Sequence, residues 1–427
     1  MKEIYKILNW IKSQKNKNKI LVSKKSISNL VNWKLNKKKI FHKSGKFFQI
    51  ISIRAVSNFY KKKWDQPLIV QNEKGILGML MKKYNGRTKY LLQAKIEPGN
   101  INKLQLSPTV QATKSNYSRV HGGKKIKYLK YFLKKNNNTL IKSKQYEQGF
   151  RYLFKQNINM IVRIKKNIKL DNNYRWVSKK DLIQLSKKKN VLHMDTISVF
   201  SCSINKNVFD IPLNSSKEIK KWYNSLKIKY YIRIIKIPLL EMKNWNFNNQ
   251  YIFNDKKKYF NIIGIKVKTN SREVKEWEQP IIQGKKLAFA GFIIKKINLT
   301  VHYLVRFNIK PGLKIPGISC TVNTSDIEIY KKNADLTFKS KDILTNFFIN
   351  KKKGYVVYNN ILSDEGGRFF HNQIRNMVVE IGDKDFINFD KKYIWVSHNQ
   401  MIGFIKQGVV DIETRLLFTS LNFDKIL

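Results

Sequence analysis

Trp64-Asp65-Gln66-Pro67 returns as Trp277-Glu278-Gln279-Pro280, 213 positions further along the chain. The same offset, without a gap, carries Gly78 onto Gly291, Tyr90-Leu91 onto Tyr303-Leu304, and Pro98-Gly99 onto Pro311-Gly312. After a one-residue slip, Ser107-Pro108-Thr109-Val110-Gln111 aligns with Ser319-Cys320-Thr321-Val322-Asn323. Glu147-Gln148-Gly149-Phe150-Arg151 then meets Asp364-Glu365-Gly366-Gly367-Arg368, and Trp176-Val177-Ser178 meets Trp395-Val396-Ser397. Matches kept in one order over such a distance mark a tandem duplication, so whatever fold one copy takes the other shares.

Within each copy the pattern reads as α+β. A strand over Phe47 to Ile53 leads into the Trp-acid-Gln-Pro run, expected to be a turn because proline fixes its backbone. The apolar runs 76–81 and 90–94, separated by Tyr84-Asn85-Gly86, predict a hairpin. Glu97-Pro98-Gly99-Asn100 predicts a turn. In the second copy 287–294 and 301–309 repeat the strand pair. The spacing of Tyr146, Phe150, Leu153 and Asn157 predicts a helix over 145–159. Mixed sheets packed with helices follow. Residues 1–40 read as a Lys-rich, helical N-terminal segment, 41–205 as the first module, 206–257 as an inter-repeat segment with a helix near 216–226, and 258–427 as the second module.

The chain has 427 residues, 42% of them hydrophobic and 12% aromatic, which suits folded cores and not a disordered polymer. No apolar stretch reaches the length of a membrane span. The start has no signal-peptide pattern. Two widely separated cysteines, Cys202 and Cys320, fit a reducing compartment, so a cytoplasmic protein is expected. The formal charge of +57 invites a nucleic-acid reading. Lysine outnumbers arginine and is spread along the whole chain, however, as the codons of an AT-rich genome would produce. No membrane and no specific nucleic-acid partner is expected.

Several motifs carry candidate chemistry. Trp64, Gln66 and their counterparts Trp277 and Gln279 suit a pocket wall that stacks a base and reads its amide edge; the plainer reading is a core tryptophan beside a turn. The run 105–123 is rich in hydroxyls and amides yet nearly free of lysine, unlike the other loops. Its Gln105, Ser107, Thr109, Gln111 and Asn116 offer the short donors and acceptors that sugars require, with Thr321 and Asn323 at the matching second-copy places. Tyr117 and His121, the latter before Gly122-Gly123, are acid–base candidates; an ordinary surface turn is the alternative. On the expected helix Glu147 and Arg151 share a face, as Asp364 and Arg368 do, either as simple ion pairs or with arginine on a diphosphate. Residues 272–276 imitate half of a Nudix pyrophosphohydrolase box, but Lys258, Gly264 and Trp277 stand where the box needs other residues, so no metal site is read there.

The stretch WDQP at 64–67, GILG at 75–78, LLQAKIEPGN at 91–100, QLSPTVQAT at 105–113, SNY at 115–117, RVHGG at 119–123, EQG at 147–149 and NVLHMDT at 190–196 resembles the NDP-hexose 2,3-dehydratase family. The resemblance extends over about 45–421, with excess lysine and a weakened second copy as its departures. It implies two tandem Nudix-like modules per subunit, the first active and the second degenerate, and a homodimer. It further implies a hydro-lyase of deoxysugar biosynthesis acting on a dTDP-4-keto-6-deoxyhexose, without cofactor or metal, coupled to an NADPH-dependent 3-ketoreductase. His121, Tyr117 and Glu147 are then the acid–base candidates, and Lys95 or Arg151 the group that steadies the enolate or diphosphate. A non-catalytic nucleotide-sugar-binding protein and a nucleic-acid-binding protein are the competing readings.

Overall fold

A computed structural model describes residues 2–113, 126–133, 138–255, 259–272, 274–284, 287–324, 343–350, 353–383, 385 and 389–427. The two halves run through the same elements in the same order. Each opens on a helix, Lys2–Lys17 or Ser216–Lys229, followed by a strand, Ile20–Lys25 or Ile232–Ile237. The correspondence between the halves therefore begins inside 1–40 and 206–257, which carry equivalent elements. Ser215 and Glu218 form a capping box at the second of these helices.

The opening strands are exchanged between the halves. Ile20–Lys25 pairs antiparallel with Phe260–Thr269 of the second half, from Ile20 opposite Thr269 to Lys25 opposite Gly264. Ile232–Ile237 pairs in the same way with Gln49–Ser57 of the first half. Each half thus finishes the other's sheet, which covers an edge that would otherwise leave its N–H and C=O groups open.

The Trp-acid-Gln-Pro runs fasten this exchange. They lie inside the strands Lys62–Val70 and Glu276–Gly284, and are not turns as the sequence suggested. Pro67 sits opposite Ser52, on a strand paired with one neighbouring strand only, so its missing N–H breaks no ladder. Asp65 takes a bidentate pair of bonds from Arg54 at 2.8 Å and the Lys243 amide, while its carbonyl accepts Trp245 Nε1 at 2.8 Å. Glu278 repeats this in the other direction, with Lys25 Nζ at 2.7 Å, the Val31 amide at 2.6 Å and Trp33 Nε1 on its carbonyl at 2.8 Å.

Each half also holds a seven-stranded sheet. In the first, Thr139–Tyr146, Gln156–Arg163, Gly75–Tyr84, Arg87–Ile96 and Tyr174–Ser178 lie side by side, with Leu104–Ser107 and Val110–Ala112 added along the central strands. The hairpin at 84–87 is as expected, and Asn85 and Gly86 take the left-handed conformation its tight turn demands. The helix expected over 145–159 is not formed. Tyr146 ends one strand, 147–155 is a loop, and Gln156–Arg163 turns back antiparallel. Gln156–Arg163 also pairs in parallel with Gly75–Tyr84, a long-range ladder that suits its Ile158, Ile161 and Val162 better than a helix does. Met194–Ser201 and its counterpart Ile412–Leu421 pack against each other between the two sheets, and one apolar core runs through both halves. Among the described residues no helix is long and apolar enough to cross a membrane.

Candidate active site

Register builds the site. Lys95 lies opposite Gln105, and Gln93 opposite Ser107, on the pair Arg87–Ile96 and Leu104–Ser107. Side chains alternate along a strand, so Lys95 and Glu97 emerge on one face, beside Gln105. Lys95 Nζ stands 2.9 Å from Glu97 Oε1 and also donates to Gln111 Oε1. Glu97 Oε2 is 2.9 Å from His193 Nε2.

His193 is the N-cap of the helix Met194–Ser201, and its Nδ1 accepts the Asp195 amide at 3.1 Å. That bond keeps the proton of the neutral ring on Nε2, aimed at Glu97. Burial works against the imidazolium, but the Glu97 carboxylate more than offsets it and raises the pKa. Burial likewise opposes a Glu97 anion, yet Lys95 and His193 outweigh it and hold that carboxyl well below its usual range. Asp195 itself accepts from Gln111 Nε2.

Glu147 is the opposite case. It is 5% exposed at the start of the 147–155 loop and accepts Asn157 Nδ2 at 2.7 Å. Burial first, then the charges of Asp195 and Glu365, push its pKa up to about 8 against the pull of Arg415 and Lys155. One small region therefore holds a carboxylate kept ionised and a carboxyl kept protonated. Such a division is how a site obtains both a fixed charge and an acid at neutral pH.

The residues nominated from sequence divide accordingly. Glu147, Lys95, Gln105 and Gln111 converge on this cluster. Both amide atoms of Gln105, together with Ser107 Oγ and Gln148 Oε1, are buried with no hydrogen-bond partner among the described residues. Buried polar atoms of this kind are met by water, an ion or a polar ligand. Thr109 is not among them. Its hydroxyl accepts the Leu80 amide at 2.9 Å and donates to the Leu91 carbonyl, ties that Thr321 repeats with Ile293 and Leu304. Trp64 Nε1 donates to Gln66 at 2.8 Å, and Gln66 Nε2 to the Phe150 carbonyl at 3.0 Å; Trp277 and Gln279 do the same to Gly367. These pairs hold up the loops instead of facing the cluster.

Arg151 and Glu147 share no helix face. The Arg151 guanidinium lies over the Phe260 ring at 4.2 Å, and Arg368 over Phe48 at the same distance. Burial draws Arg151 down to a pKa of about 10. Asn323 is on the strand Val322–Thr324, in the second sheet. Asn116, Tyr117 and His121 lie outside the described residues. A surface cleft lined by Glu3, Tyr84, Arg87, Trp176 and Lys179 holds none of these groups.

Sequence reading missed Glu97, His193, Asp195 and Glu365. Their signals were present: His193 and Asp195 stand in NVLHMDT, at the places where the second copy carries Asp411 and Glu413 at the start of its own equivalent helix. The second-copy counterpart of the cluster is inverted in charge. Lys310 replaces Glu97 and pairs with Asp411 at 2.8 Å and Glu413 at 3.0 Å, without an imidazole. Among the described residues no group of three His, Cys, Asp or Glu is arranged to hold a metal ion.

The sequence model of a family described as NDP-hexose 2,3-dehydratase matches residues 4–203 and again 216–421. A dTDP-4-dehydro-6-deoxy-alpha-D-glucopyranose 2,3-dehydratase of Amycolatopsis orientalis is 29% identical over 424 residues, covering 97% of this chain and 89% of that protein. Proteins of the same name from Saccharopolyspora spinosa and Streptomyces violaceoruber are 29% and 30% identical, covering 97% and 88% of this chain and 90% and 87% of their own lengths.

Proposed function

This chain belongs to the NDP-hexose 2,3-dehydratase family, and we propose that it takes a dTDP-4-keto-6-deoxyhexose and eliminates water across C2 and C3, in the first-copy cluster. The observation that carries this reading is the buried Glu147, held protonated to about pH 8 beside the ionised Glu97 and its partners Lys95 and His193. The 4-keto group acidifies the C3 proton. Its removal gives an enolate, which expels the C2 hydroxyl as water once an acid protonates the leaving oxygen. The enol so formed tautomerises to a 3,4-diketo-2,6-dideoxy sugar.

Glu147 is the acid at the C2 oxygen. Lys95, with its ammonium fixed by Glu97 and Gln111, steadies the oxyanion at C4. Gln105, Ser107 and Gln148 offer the donors and acceptors for the sugar hydroxyls. The C3 base is His121 or Tyr117, in the run whose described start borders Lys95. His193 is not that base, since both of its ring nitrogens are engaged. The Lys310–Asp411–Glu413 group supports a second copy without chemistry of its own.

The finer reading is of two Nudix-like modules per subunit, a homodimer, and a place beside an NADPH-dependent 3-ketoreductase that consumes the labile diketone. The buried, unbridged Cys202 and Cys320 support a cytoplasmic setting. Incubation with dTDP-4-keto-6-deoxyglucose, NADPH and such a reductase tests the reaction. The expected product is lighter than the substrate by one water and heavier by two hydrogens; recovery of unchanged or merely reduced substrate rejects it.

Thymidine diphosphate alone is expected to raise the melting temperature. A ligand that binds only the folded state stabilises it by about 2.7 kcal/mol at a hundredfold excess over Kd. A melting curve unmoved by millimolar nucleotide would count against a sugar-nucleotide substrate.

A further inference from the structure

The loop 364–371 of the second copy is locked onto the turn that carries Glu97. The Gly99 amide donates to the Gly366 carbonyl at 2.8 Å, and the His371 amide to the Gly99 carbonyl at 2.8 Å. A Cβ on Gly99 would overlap the Phe369 carbonyl, and one on Gly366 would overlap the Asn100 side chain. Neither position has room for anything but glycine, so the backbones approach as closely as they can. The reverse lock exists too: the Gly312 amide donates to Gly149 at 2.7 Å, and the Phe154 amide to Gly312 at 2.8 Å.

These reciprocal locks bring both loops to the middle of the molecule. Tyr152 and Phe369, at matching places of the repeat, meet edge to face at 5.9 Å. Among the differences between the loops, the first copy has Gln148 where the second has Glu365. Tyr152 of the first copy donates its hydroxyl to Glu365 Oε2 at 3.1 Å. Burial, then the charges of Asp195 and Glu97, raise the pKa of Glu365 against the pull of Arg368 and His193, and its charge in turn acts on Glu147, Tyr152 and Lys155.

We infer that the second copy completes the first-copy site: Glu365, delivered across the reciprocal lock and held by Tyr152, is a positioning residue that keeps the proton on Glu147. The second copy thereby places a charge in the other half. The inference rests on the reading of Glu147 as the acid, but its central test needs no substrate.

The carboxyl infrared band of Glu147, identified by its disappearance in Glu147→Gln, is titrated in the full-length wild type and in Glu365→Gln. Removing the negative charge beside a carboxyl favours its ionisation, so the midpoint is expected to fall by about one pH unit. The alkaline limb of the kcat profile should move the same way. Tyr152→Phe, which takes the donor from the Glu365 carboxyl, should give a smaller fall. A midpoint that stays put in Glu365→Gln, or in Tyr152→Phe if the first variant does not fold, overturns the inference. Absence of turnover in the wild type would instead sink the dehydratase reading, and leaves the titration result standing.

Discussion

Glu147→Gln is expected to lower kcat by about 10²- to 10⁴-fold, the range that one general acid contributes, while the protein stays folded. Glutamine has the same shape and still accepts the bond that Asn157 makes to Glu147 Oε1 at 2.7 Å. It has no proton to give. The leaving hydroxide at C2 would then depart unprotonated. The wild-type rate should fall as pH rises through about 8, where Glu147 ionises.

Stability should respond with a definite sign. A carboxyl raised in the folded state gives stability that is fully present below its unfolded pKa and is lost as pH rises through the folded one. The wild type should therefore weaken between about pH 4.5 and 8, where the unfolded chain has released a proton that the folded chain still holds. Glu147→Gln should flatten that slope. Denaturant titrations at several pH values, with steady-state rates, would check both; a kcat close to wild type removes Glu147 from the reaction.

Lys310→Met should cost about 3–5 kcal/mol of stability, the usual loss when one partner of a buried ion pair is removed. Lys310 is 2% exposed, with Asp411 at 2.8 Å and Glu413 at 3.0 Å, and Asp411 is 3% exposed and also bound by Ser319. Taking away the ammonium leaves the buried Asp411 carboxylate and the partly buried Glu413 without their cation. Neutralising all three, with Lys310→Met, Asp411→Asn and Glu413→Gln together, should restore most of the loss, because the penalty lies in the uncompensated charge. Burial works against the Asp411 anion, but Lys310 prevails and lowers its pKa. Its contribution is thus present above the unfolded pKa and disappears only as pH falls through the lower folded value. Chemical denaturation of the variants decides this. A loss below about 1 kcal/mol, typical of exposed pairs, would mean that the group is solvated.

The amino-acid sequence by itself determined the duplication, the α+β class, the hairpins and the family, because each rests on local chemistry or on identities kept in order. Tyr84-Asn85-Gly86 demands a tight turn wherever it lies, and the turn formed there. The sequence also nominates Glu147, Lys95, Gln105 and Gln111 as candidates for the site. The helix over 145–159 failed because a helical spacing of four residues says nothing about a strand waiting at 75–84, whose ladder captures Gln156–Arg163. On sequence alone the Trp-acid-Gln-Pro run suits either a pocket wall or a core tryptophan beside a turn, yet it lies in a strand, its acid fastens the opposite half and its glutamine holds a loop carbonyl. His193 and Glu97 are 96 positions apart, and Tyr152 and Glu365 are 213 apart. Only the tertiary structure decided that these meet. Strand exchange and the paired glycine locks are contacts between distant backbones, and a contact across such separation leaves no periodicity in either stretch that makes it.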